Sequence, residues 1–144
     1  MKVEFLNLGQ AGLSLGLAVA RLAAFHQGQG RRVMILARDQ DQAQELDRLL
    51  WTFDQGSFLP HALAGGPDQE NEPVLVACAP ANLNAAQVLI LAWPLEDPPL
   101  EAYQHLVYLV PAQDGPELAA CRQRYRRFSQ TPGLELVHTT RLAG

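Results

Sequence analysis

Cysteine is scarce in this chain of 144 residues: the two present, Cys78 and Cys121, lie far apart, with no CxxC and no histidine pair at metal-ligand spacing. That excludes a disulfide framework and a zinc site, and it suits a reducing cytoplasm. Charge is thin as well, at 18 % of residues, below the usual quarter of a soluble chain. Eleven basic against fifteen acidic residues leave a net charge of −4, which argues against a general nucleic-acid coat protein and against direct nucleic-acid binding. No run approaches the roughly 18 uninterrupted apolar residues of a membrane span, and the start lacks a basic-then-apolar leader, so neither membrane insertion nor export is expected. Aromatics are few, at 7 %, yet 48 % of residues are hydrophobic. Such a chain folds rather than staying disordered, and its length suits a single domain over residues 1–144 burying about 70 % of its unfolded surface.

Hydrophobic runs set between turn signals predict strands at Val3–Leu8, Arg32–Ala37, Val74–Ala79, Gln87–Ala92, Leu106–Val110 and Leu134–His138. Three of these (from Arg32, Val74 and Leu106) are near-continuous apolar runs, the mark of strands covered on both faces by helices. A three-layer α/β/α sandwich follows. The segment from Pro80 to Ala86 is too short to carry a crossover helix, which points to an antiparallel pair there and hence to a mixed, mostly parallel sheet. A deeply buried helix is expected from Ala11 to Gln27, ended by Gly28 and Gly30. A second, capped by Asp39 or Asp41, should run through Trp51 with Leu46, Leu49 and Leu50 on one side. Leu118, Cys121, Tyr125 and Phe128 mark a last helix over Glu117–Gln130, with Arg122 and Arg126 side by side on an adjoining strip.

Gly9, Gly12 and Gly16 follow the first strand where a dinucleotide-binding turn would put its glycines. They read GxxGxxxG rather than GxGxxG, and Arg38 and Asp39 stand too far on to be a ribose-binding acid. The turn therefore reads as close helix-to-strand packing; the competing view is a Rossmann-type nucleotide-binding enzyme with a degenerate glycine turn. No phosphate loop is present, Ser14, Ser57 and Ser129 lack GxSxG context, and His26, His61, His105 and His138 have no partner that spacing can place. No catalytic residue, cofactor-binding residue or metal ligand is thus nominated.

Two clusters are more informative. Trp51, Phe53, Phe58, Leu59 and Leu63 place large apolar area on a helix end and in the long Gly- and Pro-rich segment from Asp54 to Pro73, which is either a satellite core or a partner-binding patch. Arg122, Arg124, Arg126 and Arg127 crowd four cations beside Tyr125 and Phe128. They either solvate a helix or hold an acidic motif or terminal carboxylate.

These residues carry a resemblance. Leu46-Asp47, Leu50-Trp51, then Ser57-Phe58-Leu59-Pro60-His61-Ala62-Leu63-Ala64-Gly65 resembles the LD..LW…SF.PH.L.G signature of the chi subunits of bacterial DNA polymerase III. Arg122-Gln123-Arg124-Tyr125-Arg126 is similar to that family's R-x-R-Y-[KR] helix, and the order of strands fits along nearly the whole chain. The resemblance implies a Rossmann-like α/β domain without nucleotide or other cofactor: a non-catalytic, cytoplasmic accessory subunit of the clamp-loader complex. It further implies that Trp51 and Phe58, with Pro60 and His61 shaping the loop, face the psi subunit or another protein such as a repair helicase. Arg122, Arg124, Tyr125 and Arg126 would receive the acidic C-terminal tail of single-stranded DNA-binding protein. One departure is Leu118, where relatives often carry a basic residue.

Overall fold

The computed structural model describes residues 1–142 apart from 55, 57 and 80. Its strands are β1 (Lys2–Asn7), β2 (Val33–Leu36), β3 (Ala62–Leu63), β4 (Val74–Ala77), β5 (Val88–Leu91), β6 (His105–Val110) and β7 (Glu135–Thr139). They form one sheet in the order β3-β4-β2-β5-β6-β1-β7. The four-residue strands β2, β4 and β5 are buried at every position, as the unbroken apolar runs foretold. β3 was not anticipated, because two residues hold no periodicity to read.

The sheet is not mixed: every pairing in it is parallel. The reasoning from the short segment after β4 fails because β4 and β5 are not neighbours and their connection needs no helix. β2 lies between them, and the described residues of the 78–87 connection form an irregular strap. Two asparagines tie this strap to itself and to the neighbouring chain. Asn84, fully buried, donates from Nδ2 to the carbonyls of Val33 (3.1 Å) and Glu72 (2.9 Å) at the starts of β2 and β4. Asn82 accepts from the Ala86 N–H and donates to the Ala86 and Ala102 carbonyls. Ala85 between them takes a positive φ of 52°, a backbone cost that such local over-determination can hold.

The helices are α1 (Leu8–Ala11), α2 (Leu15–Gly28), α3 (Gln40–Thr52) and α4 (Pro116–Ser129). The helix expected over Ala11–Gln27 is α2, which begins later, at Leu15, and a short unforeseen helix, α1, precedes it and ends at Gly12 with a left-handed φ of 69°. Ser14 then caps α2 by accepting from the Leu17 N–H, and Asp39 caps α3 by accepting from Gln42. The other glycines of the turn are packing devices: a Cβ on Gly9 would stand 3.1 Å from the Ala112 Cβ, and one on Gly16 would stand 2.6 Å from a Leu49 methyl. Gly16 thereby lets α2 and α3 approach closely.

Two apolar cores flank the sheet, which makes the three layers. Connections running toward the β3 edge carry α2 and α3 over one face, where Val19, Leu22, Leu46 and Leu50 pack on Ile35, Ile90 and Val107. Connections running toward the β7 edge cover the other face, where Phe128 of α4 and Tyr103 pack on Phe5, Leu89 and Tyr108. Right-handed crossovers require this division.

One polar cluster interrupts the α2 core. Glu4 of β1 meets His105 of β6, Oε1 to Nε2 at 2.9 Å, and the His105 ring stands edge-on to His26 of α2 at 5.2 Å. Arg31 Nη1 donates to His26 Nδ1 at 3.1 Å. Burial, then His105 and Arg31, pushes the His26 pKa down to about 4. Burial raises that of Glu4, but hydrogen bonds from His105 and Thr139 outweigh it and hold the carboxyl below its ordinary value. For both groups the unfolded chain binds protons more readily than the folded one, so stability falls as pH falls. His26 contributes fully above about pH 6.5 and loses its contribution toward pH 4. Urea unfolding followed between pH 7 and 4 checks this. The midpoint should drop across that window, and His26→Gln, which can still accept from Arg31, should flatten the drop.

Candidate functional site

The first candidate surface is built at the end of α3. Ala43, Leu46 and Leu50 are buried against α2 and the sheet, which turns the next residue, Trp51, outward at 56 % exposure. After the helix the chain returns in a turn in which the Gly56 N–H donates to the Asp54 carboxylate. Phe58 is then 73 % exposed while its neighbour Leu59 is buried. Trp51 stands 6.0 Å from Phe58 and 4.5 Å from His61, ring centre to ring centre. His61 is the buried support of the group: Nδ1 donates to the Leu59 carbonyl at 2.8 Å, and Nε2 faces Asp47 of α3 at 3.3 Å. Pro60, half-buried, lies between the two. Trp51, Phe58, Pro60 and His61 are thus brought together, and the Asp54–Pro73 segment divides into this aromatic group, β3 and a short 3-10 turn at Gln69–Asn71. Ser57 of the sequence signature lies outside the described residues.

The second surface lies on α4, entered by Pro116 as its first residue. Cys121 and Phe128 face inward. Between them Arg122 and Tyr125 rim a cavity of about 260 Å³ floored by Phe5, Val110 and Cys121, with His138 at its side. Tyr125 is 42 % exposed and stands edge-on to Phe5 at 5.2 Å. Burial pushes the Cys121 thiol up to about 11 despite nearby Arg124, so it behaves as an apolar wall rather than a nucleophile.

The four arginines separate by role. Among the described residues Arg122 and Arg126 have no carboxylate partner; both are exposed, one turn apart. Arg127 is engaged: it pairs with Asp97 at 3.1 Å, donates to the Glu96 carbonyl and lies over the Phe128 ring. Arg124, half a turn away, faces a different cavity with Glu117 and Trp93, so the structure does not gather it with Arg122 and Tyr125. Leu118 is half-buried. The cavity floor was missed from sequence, because Phe5, Val110 and His138 come from three strands and read locally as ordinary core or edge residues. Among the described residues no group of three His, Cys, Asp or Glu side chains is placed to hold a metal ion, and no helix is long and apolar enough to cross a membrane.

Fold and surface together define a Rossmann-like α/β domain that carries an exposed aromatic pair and an arginine-rimmed cavity. A family model described as DNA polymerase III chi subunit, HolC, matches residues 1–136. The chain is 30 % identical over 111 residues to DNA polymerase III subunit chi of Escherichia coli, covering 76 % of this chain and 75 % of that one. It is 28 % identical over 108 residues to the subunit of the same name in Haemophilus influenzae, covering 74 % of each. The crystal structure of T4 UvsW shares the fold, with a TM-score of 0.61 at 10 % identity over 96 % of this chain and 41 % of the other. This chain belongs to the DNA polymerase III chi subunit family, accessory subunits of DNA replication.

Whether the aromatic pair is satellite core or contact surface is decided by its share of stability. Exposed rings already in water lose little on truncation, whereas a buried leucine takes about 2–5 kcal/mol with it. Chemical denaturation should therefore find Trp51→Ala and Phe58→Ala within about 1 kcal/mol of the parent, and Leu59→Ala well below it. A loss of core size at Trp51 or Phe58 would make the rings structural.

Proposed function

We propose that this chain is a non-catalytic, cytoplasmic clamp-loader accessory subunit joining two protein partners. The psi subunit docks on Trp51, Phe58, Pro60 and His61. The C-terminal tail of single-stranded DNA-binding protein docks on Arg122, Tyr125 and Arg126. The observation that carries the reading is the cavity on α4, where an apolar floor lies directly beside the Arg122 guanidinium, which has no carboxylate partner among the described residues. An acidic peptide ending in an aromatic residue fits that chemistry, with the ring on Phe5, Val110 and Cys121, the free carboxylate at Arg122, and the preceding acids toward Arg126. Exposed guanidinium-to-acid contacts contribute on the order of 1 kcal/mol or less each and are screened by salt, so the seated ring supplies much of the affinity. At the other surface, two exposed rings propped by a buried histidine have the make-up of a binding hot spot. Family membership supports both assignments.

Fluorescence anisotropy with a labelled tail peptide tests the α4 surface. Arg122→Ala should weaken binding by up to about fivefold, equivalent to ~1 kcal/mol, and Asp68→Ala should leave it unchanged. Affinity should fall as salt rises, and a peptide lacking its terminal residue should fail against the parent protein. If the shortened peptide binds equally well, only general charge attraction is at work.

A further inference from the structure

A second cavity lies apart from both surfaces, outside the carboxyl ends of β2, β5 and β6. It measures about 490 Å³ and is walled by apolar side chains such as Leu15, Leu109, Pro94 and Pro111, with Arg38, Gln42, Trp93, Glu117 and Arg124 as its polar groups. The chain leaves β2 toward the β3 edge on the α3 face and leaves β6 toward the β7 edge on the α4 face. The two loops diverge around the end of β5 and open a crevice, the place where parallel α/β sheets take their ligands.

Two of its polar groups are donors without an acceptor among the described residues. Trp93 Nε1 and Arg124 Nε are both buried and have no hydrogen-bond partner among the described residues. Buried N–H groups of this kind are uncommon and call for an acceptor. The charges add a second constraint. Arg38 is already paired with Asp39 at 3.1 Å, and the Gln42 carbonyl oxygen accepts from the Arg38 backbone N–H. Glu117 sits in the first turn of α4, where the helix dipole favours it. Of the two arginines in this crevice, Arg124 is then the one without a carboxylate partner among the described residues. One such cation, flanked by Glu117, suits a single negative charge better than a double one.

We propose that this crevice binds a small monocarboxylate with an apolar or aromatic body. The carboxylate accepts from Arg124 Nε and Trp93 Nε1, and the body lies against the leucine and proline wall. This site is independent of the α4 cavity: Arg122 and Tyr125 line only the other one.

The test uses the intact protein labelled with 15N and the probe 3-phenylpropionate. Trp51 and Trp93 give the two indole N–H signals, and Trp93→Phe assigns them. Addition of millimolar probe should move the Trp93 indole and Arg124 Nε–H signals downfield and leave Trp51 in place. Arg124→Lys, which keeps charge and stem but removes the guanidinium fork, should weaken the response tenfold or more, while Arg122→Lys should not change it. The neutral isostere 3-phenylpropanol should bind at least tenfold more weakly, and phenyl phosphate more weakly than the carboxylate. Stationary Trp93 and Arg124 signals would overturn the proposal. So would equal binding of the alcohol, or sensitivity to Arg122→Lys in place of Arg124→Lys, the last assigning the probe to the α4 cavity.

Discussion

The parallel register of β5 with both of its neighbours, β2 and β6, governs what the rest of the chain can do. A parallel strand has its predecessor's end at the wrong side of the sheet, so every connection must travel back across a face. Here α2 and α3 make that journey on one face, while the strap at residues 78–87, the segment before β6 and α4 make it on the other. The consequences are local and specific. Asn84 is fully buried where it ties the strap to the Val33 and Glu72 carbonyls. The loops after β2 and β6 part company and leave a crevice. The last turn of α3, carried toward the β3 edge, ends with Trp51 in solvent.

Contact chemistry is placed where it costs the fold least. Leu46, Leu50 and Leu59 anchor the α3 end, so the exposed Trp51 and Phe58 can be spared from the core. In α4, Cys121 and Phe128 hold the helix down while residues between them face out. Arg127 spends its charge on Asp97, Arg124 turns to the crevice, and Arg122 and Arg126 have no carboxylate partner among the described residues. A row of four arginines thus stands in three different settings, set by the helical angle between them.

Much of this was readable from sequence, and the gaps have physical causes. All but one of the strands, the amphipathic α3 and α4, and the cap at Asp39 follow from apolar periodicity and turn chemistry. The turn at Gly9 to Gly16 was read, but the short helix α1 within it was not, because four residues ended by Gly12 hold too little periodicity to show a helix. The sheet was misjudged as mixed because short connections normally join neighbours, and nothing in residues 78–87 says that β2 will be inserted between β4 and β5. Of the candidate site residues, Trp51, Phe58, Pro60 and His61 gather as a group, and Arg122 meets Tyr125 at one cavity. Arg124 was grouped with them through the R-x-R-Y-[KR] resemblance, although its two-residue spacing from Arg122 sets it on another side of the helix. The cavity floor needed three strands in register, which no local pattern reports.

The proposed function requires two protein partners to sit on separate surfaces, the α3 end and the outer side of α4, without rivalry between them. The most direct measurement is the affinity of the tail peptide of single-stranded DNA-binding protein, by titration calorimetry, for the free chain and for the chain saturated with the psi subunit of the same organism. The account predicts the same dissociation constant in both and a complex containing all three components by sedimentation. Displacement of the peptide by psi, or of psi by the peptide, would contradict it.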